Sequence, residues 1–445
     1  MMRMQHFITT PNAAPFPVIA RGDGIYLWDE DGNRYLDGSS GAVVSNIGHN
    51  NHRVKAAMAA QAASISFAYA RVWENAANIK LADELSRQVG WGFDAAFFVS
   101  GGSEAMEASI KLARQAAVAR GQTSRWKIIS RVPSYHGSTI GLLGVTGDLD
   151  FGSKFEPMFV PMPKVRAPLS YRPPSGLTPE EDARICLEEV RERIEREGPE
   201  TILAMVIEPV GGVSTGASYA PAFYYSGLRE ICDEYGVFLI FDEVMCGAGR
   251  TGKFLAALHW PDCRPDIIAM AKGVSGGYAP IGVVLTSSGM VESLRENGGF
   301  SHGHTYAANP QSCAAAYAVL REIDESELVR NAAAQGENLS NQLRALTAKT
   351  GIIGDVRGKG LLLAVEIVAD QASKEPFRPE VNAALRLRET CMRHGLMLLS
   401  RRTSGGRFGE WVMACPPLIV DDRGVSEFVA AFERSVREFE AECRN

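Results

Sequence analysis

Between residues 96 and 285, short runs of mostly apolar residues recur, and long helical patterns separate them. Apolar runs of about four to eight residues are typical of strands buried on both faces of a parallel sheet. The runs are Ala96–Val99, Lys127–Ser130, Ile202–Ile207, Val237–Phe241, Ile267–Met270 and Ile281–Leu285. Because helical patterns such as Glu104–Arg120 and Pro179–Arg196 lie between them, the sequence predicts an α/β fold with a mostly parallel central sheet covered by helices.

The regions on either side of this alternation follow other patterns. Residues 24–37 alternate apolar and polar residues around an Asp31-Gly32 turn, which predicts a hairpin. A helix is predicted over Pro310–Glu322, with an extension to Leu346 left open, and a compact α+β segment follows from about Gly351. We therefore expect a large domain over residues 50–325 and a small α+β domain built from residues 1–49 and 326–445.

Composition narrows the class of protein. The 445 residues carry a formal charge of −6 without runs of Lys and Arg, so we expect no nucleic-acid partner. No stretch of about 18 apolar residues predicts a membrane span, and the first 20 residues lack the apolar core of a signal peptide. The eight cysteines are scattered without metal-ligand spacing, which predicts reduced thiols and no metal site. The sequence thus predicts a cytoplasmic enzyme.

One glycine-rich segment resembles two nucleotide-binding motifs. Gly247–Gly252 matches G-x-G-x-x-G, and with Lys253 it matches G-x-x-x-x-G-K. The dinucleotide motif requires its glycines directly after a strand, but five residues intervene here. The phosphate-binding loop requires Ser or Thr after the lysine, and this chain has Phe254. We therefore expect neither function from this segment.

A second small-residue turn, Ser100–Ala105, joins the predicted strand Ala96–Val99 to the helix beginning near Glu104. Free N–H groups and the helix dipole favour a phosphate group at such a helix N-terminus. The alternative is a plain connection in which Ser103 caps the helix.

Three further side chains follow predicted strands, where ligands bind in open α/β sheets. Asp242 ends one strand, although it could instead cap a helix or pair with Arg250. Lys272 follows another, where burial would make its amine nucleophilic; otherwise it is a solvated surface charge. Tyr135 follows a third and could stack on a planar ligand or simply pack. A phosphate site, an aromatic ring, a carboxylate and a lysine are together what pyridoxal 5'-phosphate (PLP) requires.

With these residues in place, the chain resembles the class III (ω-)aminotransferases of PLP fold type I over nearly its whole length. The segments that carry the resemblance agree in order and spacing: Gly24–Asp29, Tyr35–Asp37, Gly48–His49, Ser100–Ala105, Tyr135–Gly137, Glu208–Val210, Asp242–Val244, Gly247–Gly252, Lys272, His304–Tyr306, Asn309–Pro310, Val356–Gly360 and Pro416–Leu418.

The resemblance implies a role for each of several residues. Lys272 would form the Schiff base with PLP and shuttle the proton, and Asp242 would pair with the ring nitrogen. Tyr135 and Val244 would cover the two faces of the ring.

The remaining contacts follow from the same resemblance. Gly102 and Ser103 would bind the phosphate. Thr305 would reach the phosphate of a neighbouring subunit, which implies a homodimer with active sites at the interface and leaves tetramers open. Glu208 would lie near the substrate.

Two positions depart from the family pattern. Val43 stands where transaminases of aromatic amines carry a tryptophan, so a preference for aryl-amines is not implied. The arginine that binds the substrate carboxylate falls in a stretch offering Arg401, Arg402 and Arg407, of which position favours Arg401.

The expected activity is transfer of an amino group from an ω-amine or (ω-)amino acid to a keto acid, with pyruvate as the expected acceptor. Aminomutase, decarboxylating transaminase, epimerase and phospho-lyase reactions share the same lysine, aspartate and phosphate site, so they stay open as alternatives. A PLP-fold protein that binds or regulates without turnover is disfavoured, because Lys272 is present.

Overall fold

The computed structural model describes residues 17–444. The start of the chain, including most of the segment on which the signal-peptide prediction rests, lies outside the described residues. The strands are β1 (Ile19–Asp23), β2 (Tyr26–Asp29), β3 (Arg34–Asp37), β4 (Ala95–Val99), β5 (Lys127–Val132), β6 (Lys164–Arg166), β7 (Ile202–Ile207), β8 (Phe238–Asp242), β9 (Ile267–Met270), β10 (Gly282–Thr286), β11 (Ile353–Lys359), β12 (Leu362–Ile367), β13 (Leu396–Met397), β14 (Leu399–Arg402) and β15 (Glu410–Ala414).

The helices in the same part of the chain are α1 (Ser40–Val43), α2 (His52–Ser64), α3 (Ala76–Val89), α4 (Gly102–Ala119), α5 (Ile140–Val145), α6 (Leu149–Gly152), α7 (Pro179–Glu197), α8 (Ala222–Tyr235), α9 (Ser288–Glu296), α10 (Pro310–Glu325), α11 (Leu328–Thr347), α12 (Ala383–Arg393) and α13 (Asp422–Arg444). Local sequence explains where some of them begin. Thr178 and Glu181 form a capping box around Pro179, so α7 starts where its sequence predicts.

The central sheet has seven strands in the order β4-β10-β9-β8-β7-β5-β6. The pairs from β9 to β6 are parallel, and β10 is antiparallel to both of its neighbours. Successive residues of β8 enter different hydrophobic clusters: Leu239 and Phe241 lie in one, and Phe238 and Ile240 in the other. Both faces of the sheet are therefore buried, and the predicted α/β fold is confirmed.

The two ends of the chain meet in one small sheet. β13 pairs in parallel with β3, which extends the hairpin formed by β2 and β3. A further sheet, β11-β12-β15-β14, is antiparallel throughout. The pairing of β13 with β3 is what a small domain built from both ends of the chain requires. The domain boundaries at residues 49 and 325 stay predictions.

Two features of the fold differ from the sequence prediction. The extension of the helix from Pro310 towards Leu346 is interrupted, because Glu327 has φ +51° and separates α10 from α11. α10 packs on α2 and α3, whereas α11 packs on β11, so the break redirects the chain from one group of elements to another. The short strand β6 was not predicted, since three residues give too little pattern.

Three observations bear on the predicted class of protein. None of the helices within residues 17–444 is both long and apolar enough to cross a membrane. The same residues contain no group of three or more His, Cys, Asp and Glu side chains arranged to hold a metal ion. The eight cysteines are unpaired, and only Cys443 is not buried.

Candidate active site

The carboxyl ends of β8 and β9 place Asp242 and Lys272 at the same edge of the sheet. These strands are adjacent and parallel, with Asp242 opposite Ala269, and Lys272 follows the end of β9 in a backbone conformation with φ +45°. Both side chains face a cavity of about 610 Å³. The cavity is also lined by residues from several other segments: Ala42, Val44, Ser100–Ser103, Tyr135–Gly137, Phe151, Glu208, Val213, Val244, Met245, Ser275, Tyr278–Ile281 and Leu399. This is where ligands bind in open α/β folds.

Two donors fix the carboxylate of Asp242. Its Oδ2 atom lies 2.9 Å from Nδ1 of His136, and its Oδ1 atom accepts a hydrogen bond of 3.1 Å from the backbone N–H of Val244. The alternative partner, Arg250, is directed elsewhere: it donates to Asn46, Ser40 and the carbonyl of Pro416. Asp242 is therefore free to receive a ligand on its cavity side.

The amine of Lys272 lies in a largely desolvated place. Burial lowers the pKa of this amine from the ordinary lysine value, because the charged form loses its hydration. The carboxylates of Asp242 and Glu208 oppose part of that shift. A lowered pKa increases the fraction of neutral amine, which is the nucleophilic form.

The N-terminus of α4 presents uncapped N–H groups to the cavity. The helix begins at Gly102 after Gly101, and no side chain within the described residues caps it, so Ser103 is not the N-cap. A Cβ atom on Gly102 would lie 2.8 Å from Cγ1 of Val244, so any larger residue here would force α4 or Val244 to shift. The Ser103 hydroxyl accepts a bond of 3.2 Å from the N–H of Ser138. Free N–H groups at a helix N-terminus are suited to a phosphate.

Two aromatic side chains and one carboxylic side chain form a further part of the cavity wall. The ring of Tyr135 packs on that of Phe151, with centroids 4.8 Å apart. Glu208 accepts hydrogen bonds from the N–H groups of Gly212 and Tyr135, at 2.8 and 3.3 Å. Burial raises the pKa of Glu208, and the charge of Asp242 raises it further.

The sequence analysis did not predict that His136 and Phe151 line the cavity, although His136 lies inside the Tyr135–Gly137 motif.

The predicted wall residue Val43 does not reach the cavity. Val43 is buried in the hydrophobic core, and its neighbours Ala42 and Val44 line the cavity instead. The physical reason is the backbone, since Ser40, Gly41 and Val43 all have positive φ and form an irregular turn.

The three candidate arginines occupy different places. Arg401 does not line the cavity, because ion pairs with Asp148 and Asp150 hold it beside Phe151. Arg402 pairs with buried Glu410 at 3.0 Å. Arg407 is exposed. Of the three, only Arg401 lies against a cavity wall.

Thr305 also lies outside the cavity of its own chain. It is exposed, in the loop between α9 and α10. That loop also exposes Tyr306, whose ring contacts that of the exposed Phe67, with centroids 6.1 Å apart. The single chain therefore does not bring Thr305 to the phosphate site.

Comparison with known proteins agrees with this geometry. The sequence profile of the aminotransferase class-III family matches residues 8–436. Aminotransferase YodT of Bacillus subtilis is 35% identical over 436 residues, covering 97% of this chain and 98% of YodT. A taurine–pyruvate aminotransferase of Bilophila wadsworthia is 32% identical, covering 97% of this chain and 94% of its own. The PLP-bound structure of an amine transaminase from an uncultivated Pseudomonas species superposes with a TM-score of 0.91 at 33% identity, covering 98% of this chain and 99% of that one.

Fold, cavity and comparisons together define a PLP enzyme of fold type I. The chain belongs to the class-III aminotransferase family and is a PLP-dependent aminotransferase.

The glycine-rich segment Gly247–Gly252 forms turns and is not followed directly by an α-helix, so it has the architecture of neither nucleotide-binding motif.

Proposed function

We propose that this enzyme transfers an amino group from an ω-amine or ω-amino acid to a keto acid, with pyruvate as the acceptor. The observation that carries the proposal is the placement of Lys272, Asp242 and the uncapped N-terminus of α4 around one cavity. Relatives support it: one is named for taurine and pyruvate, and one structure is described as an amine transaminase. The predicted cytoplasmic location stays a prediction.

The residues present fit the cofactor. Gly102 and Ser103 would hold the phosphate through the first turn of α4, and Asp242 would hold the ring nitrogen. Tyr135 and Val244 would contact the ring, and Lys272 would bind the cofactor covalently through Nζ. When bound, PLP supplies an aldehyde carbon that takes up the amino group and a ring that takes up electron density.

The protein's own groups carry the proton. The lowered pKa of Lys272 provides a neutral amine able to take a proton from the substrate carbon and return it elsewhere. Asp242, fixed by His136, would keep the ring nitrogen protonated, because a buried carboxylate favours a positive charge beside it. Glu208 lies within the same cavity, where we assign it to the substrate side.

The test is a half-reaction followed by cofactor absorbance, with purified holoenzyme and no acceptor. β-Alanine, 4-aminobutyrate, taurine, a diamine, an aryl-amine and L-alanine are offered separately. We expect at least one ω-amino donor to convert the cofactor to its amine form and pyruvate to restore it. Product formation without that conversion would contradict transamination and favour an elimination, isomerisation or decarboxylation.

We further propose that the enzyme is a homodimer in which Thr305 completes the phosphate site of the partner subunit. Support comes from the exposed position of Thr305 and from the exposed apolar side chains of Tyr306, its neighbour in sequence, and of Phe67, which contacts Tyr306. Sedimentation equilibrium should give twice the chain mass, and Thr305→Ala should weaken PLP binding, while the exposed control Ser301→Ala should not. A monomeric wild-type holoenzyme would overturn the proposal, and so would a Thr305→Ala variant that binds PLP with wild-type affinity.

A further inference from the structure

A charged cluster lies behind one wall of the cavity. Leu399 lines the cavity, and Arg401 stands two residues further along β14, so the two side chains leave the strand on the same side. The guanidinium carbon of Arg401 lies 4.5 Å from the centre of the Phe151 ring. That ring lines the cavity and Arg401 does not, so the arginine sits directly behind an aromatic wall.

Two carboxylates hold Arg401 in this place. Its Nη2 atom donates to Oδ2 of Asp148 over 2.6 Å and to Oδ2 of Asp150 over 3.0 Å. The Asp148 side chain is fully buried, whereas that of Asp150 is 39% exposed. Since one cation faces two anions, the three side chains together carry a net negative charge.

The two carboxylates leave part of the hydrogen-bonding capacity of the Arg401 guanidinium unused. Both bonds converge on Nη2, so the guanidinium does not form the two-pronged pair that gives the strongest Arg–carboxylate contact. Its Nε atom is buried and has no hydrogen-bond partner among residues 17–444. Such an arginine gains hydrogen bonds if it turns towards another anion.

The carboxylates, by contrast, have other donors. The Ser214 hydroxyl donates to Asp148 over 2.7 Å, and the N–H of Ser404 donates to Asp150 over 2.9 Å. Both carboxylates therefore stay hydrogen-bonded when Arg401 leaves, which limits the free-energy cost of its release.

We propose that Asp148 and Asp150 act as a counter-ion latch on Arg401, and that Asp150 sets how well the enzyme accepts amino donors with a distal carboxylate. The proposal rests on the proposed function, because it needs donors in the cavity that Phe151 lines. A donor carboxylate gains Arg401 only by replacing Asp150, and it approaches a net negative cluster. An amine with an apolar tail leaves the latch closed and meets Phe151 as an apolar surface. The latch thus disfavours ω-amino acids relative to simple amines.

Asp150→Asn is the variant that tests the latch, because the buried Asp148 also caps the start of α6 and its loss would disturb folding. Single-turnover half-reactions are measured with 4-aminobutyrate and with butylamine. We expect the apparent affinity for 4-aminobutyrate to rise roughly two- to fivefold, the scale of a part-exposed ion pair, and that for butylamine to stay unchanged. The control Asp233→Asn removes another exposed, arginine-paired carboxylate that does not line the cavity, and it should change neither value.

A double-mutant cycle shows how much of the effect of Asp150→Asn depends on Arg401. In an Arg401→Gln background, Asp150→Asn should give a clearly smaller gain for 4-aminobutyrate, because the receptor of the carboxylate is gone and only the relief of charge repulsion remains. A gain of undiminished size without Arg401, or an equal change for both donors, would overturn the latch.

Butanoate, which carries no amino group, gives a readout independent of turnover. Calorimetry should show tighter butanoate binding to Asp150→Asn than to wild type, and this difference should be clearly smaller without Arg401. Failure of the wild-type enzyme to deaminate any donor would contradict the proposed function, whereas butanoate binding unchanged by Asp150→Asn would contradict the latch alone.

Discussion

The imidazole of His136 holds the carboxylate of Asp242: Nδ1 lies 2.9 Å from Oδ2, and the ring is fully buried. Because an ionised carboxylate only accepts hydrogen bonds, Nδ1 is the protonated ring nitrogen and donates the hydrogen bond to Oδ2. The other ring nitrogen, Nε2, has no partner among residues 17–444, so the ring makes no second hydrogen bond there. The direction in which Asp242 faces the cavity therefore depends on His136.

Replacing His136 with phenylalanine should weaken PLP binding. The change removes a hydrogen bond to a charged group, a contribution of about 1.5–3 kcal/mol, so we expect roughly a ten- to hundredfold loss of affinity. His136→Asn is the matched variant, because its side-chain N–H can replace Nδ1. Fluorescence titration of the cofactor-free protein with PLP measures both. Equal affinity of the phenylalanine variant and the wild type would show that the pair is dispensable.

Lys272→Ala should retain PLP without a covalent bond and lose turnover by several orders of magnitude, because nucleophile and proton carrier are lost together. Borohydride reduction followed by peptide mass spectrometry should find the cofactor on Lys272 in the wild type and on no peptide of the variant. Near-normal turnover in Lys272→Ala would refute the assignment.

Gly102→Ala should impair the phosphate site. The added Cβ atom would lie 2.8 Å from Val244 Cγ1, so either the first turn of α4 or Val244 must shift. We expect PLP affinity to fall at least several-fold, with little change in the melting temperature. Gly289→Ala is the control: Gly289 lies in the first turn of α9, and its Cβ would meet nothing within 4 Å. The interpretation fails if both variants bind PLP as the wild type does.

The sequence was sufficient for six of the seven strands of the central sheet and for the residues that end them. The length of apolar runs such as Ile202–Ile207 favours strands over buried helices, and Asp242 and Lys272 stand where two such runs stop. The break at Glu327 could not be predicted, because it depends on which surfaces α10 and α11 pack against.

The sequence could not show how Val43 and Arg401 lie relative to the cavity, and the two cases have a related reason. The direction of Val43 is set by the positive φ of a short turn, which leaves no periodic pattern. The partners of Arg401 are Asp148 and Asp150, some 250 positions away in sequence. Motif spacing located the right stretch of chain, but only the folded structure shows which anion each arginine meets.

The pH dependence of Lys272 should respond to Glu208. Burial lowers the pKa of the lysine below its ordinary value of 10.5, while negative charge on Glu208 raises it, so Glu208→Gln should lower that pKa further. The neutral amine reacts, so its modification rate should fall as pH drops through the pKa, with the midpoint at lower pH in Glu208→Gln than in wild type. Because burial raises the pKa of Glu208 itself, the difference should appear only above the pH at which that carboxyl ionises.

Trinitrobenzenesulfonate labelling of the cofactor-free protein over a pH series, read by the mass of the peptide containing Lys272, measures this midpoint. The variant Glu327→Gln removes an exposed carboxylate outside the cavity and should leave the midpoint unchanged. A midpoint that moves to higher pH in Glu208→Gln would mean that Glu208 does not stabilise the charged amine. Its place in the cavity would then serve the substrate alone.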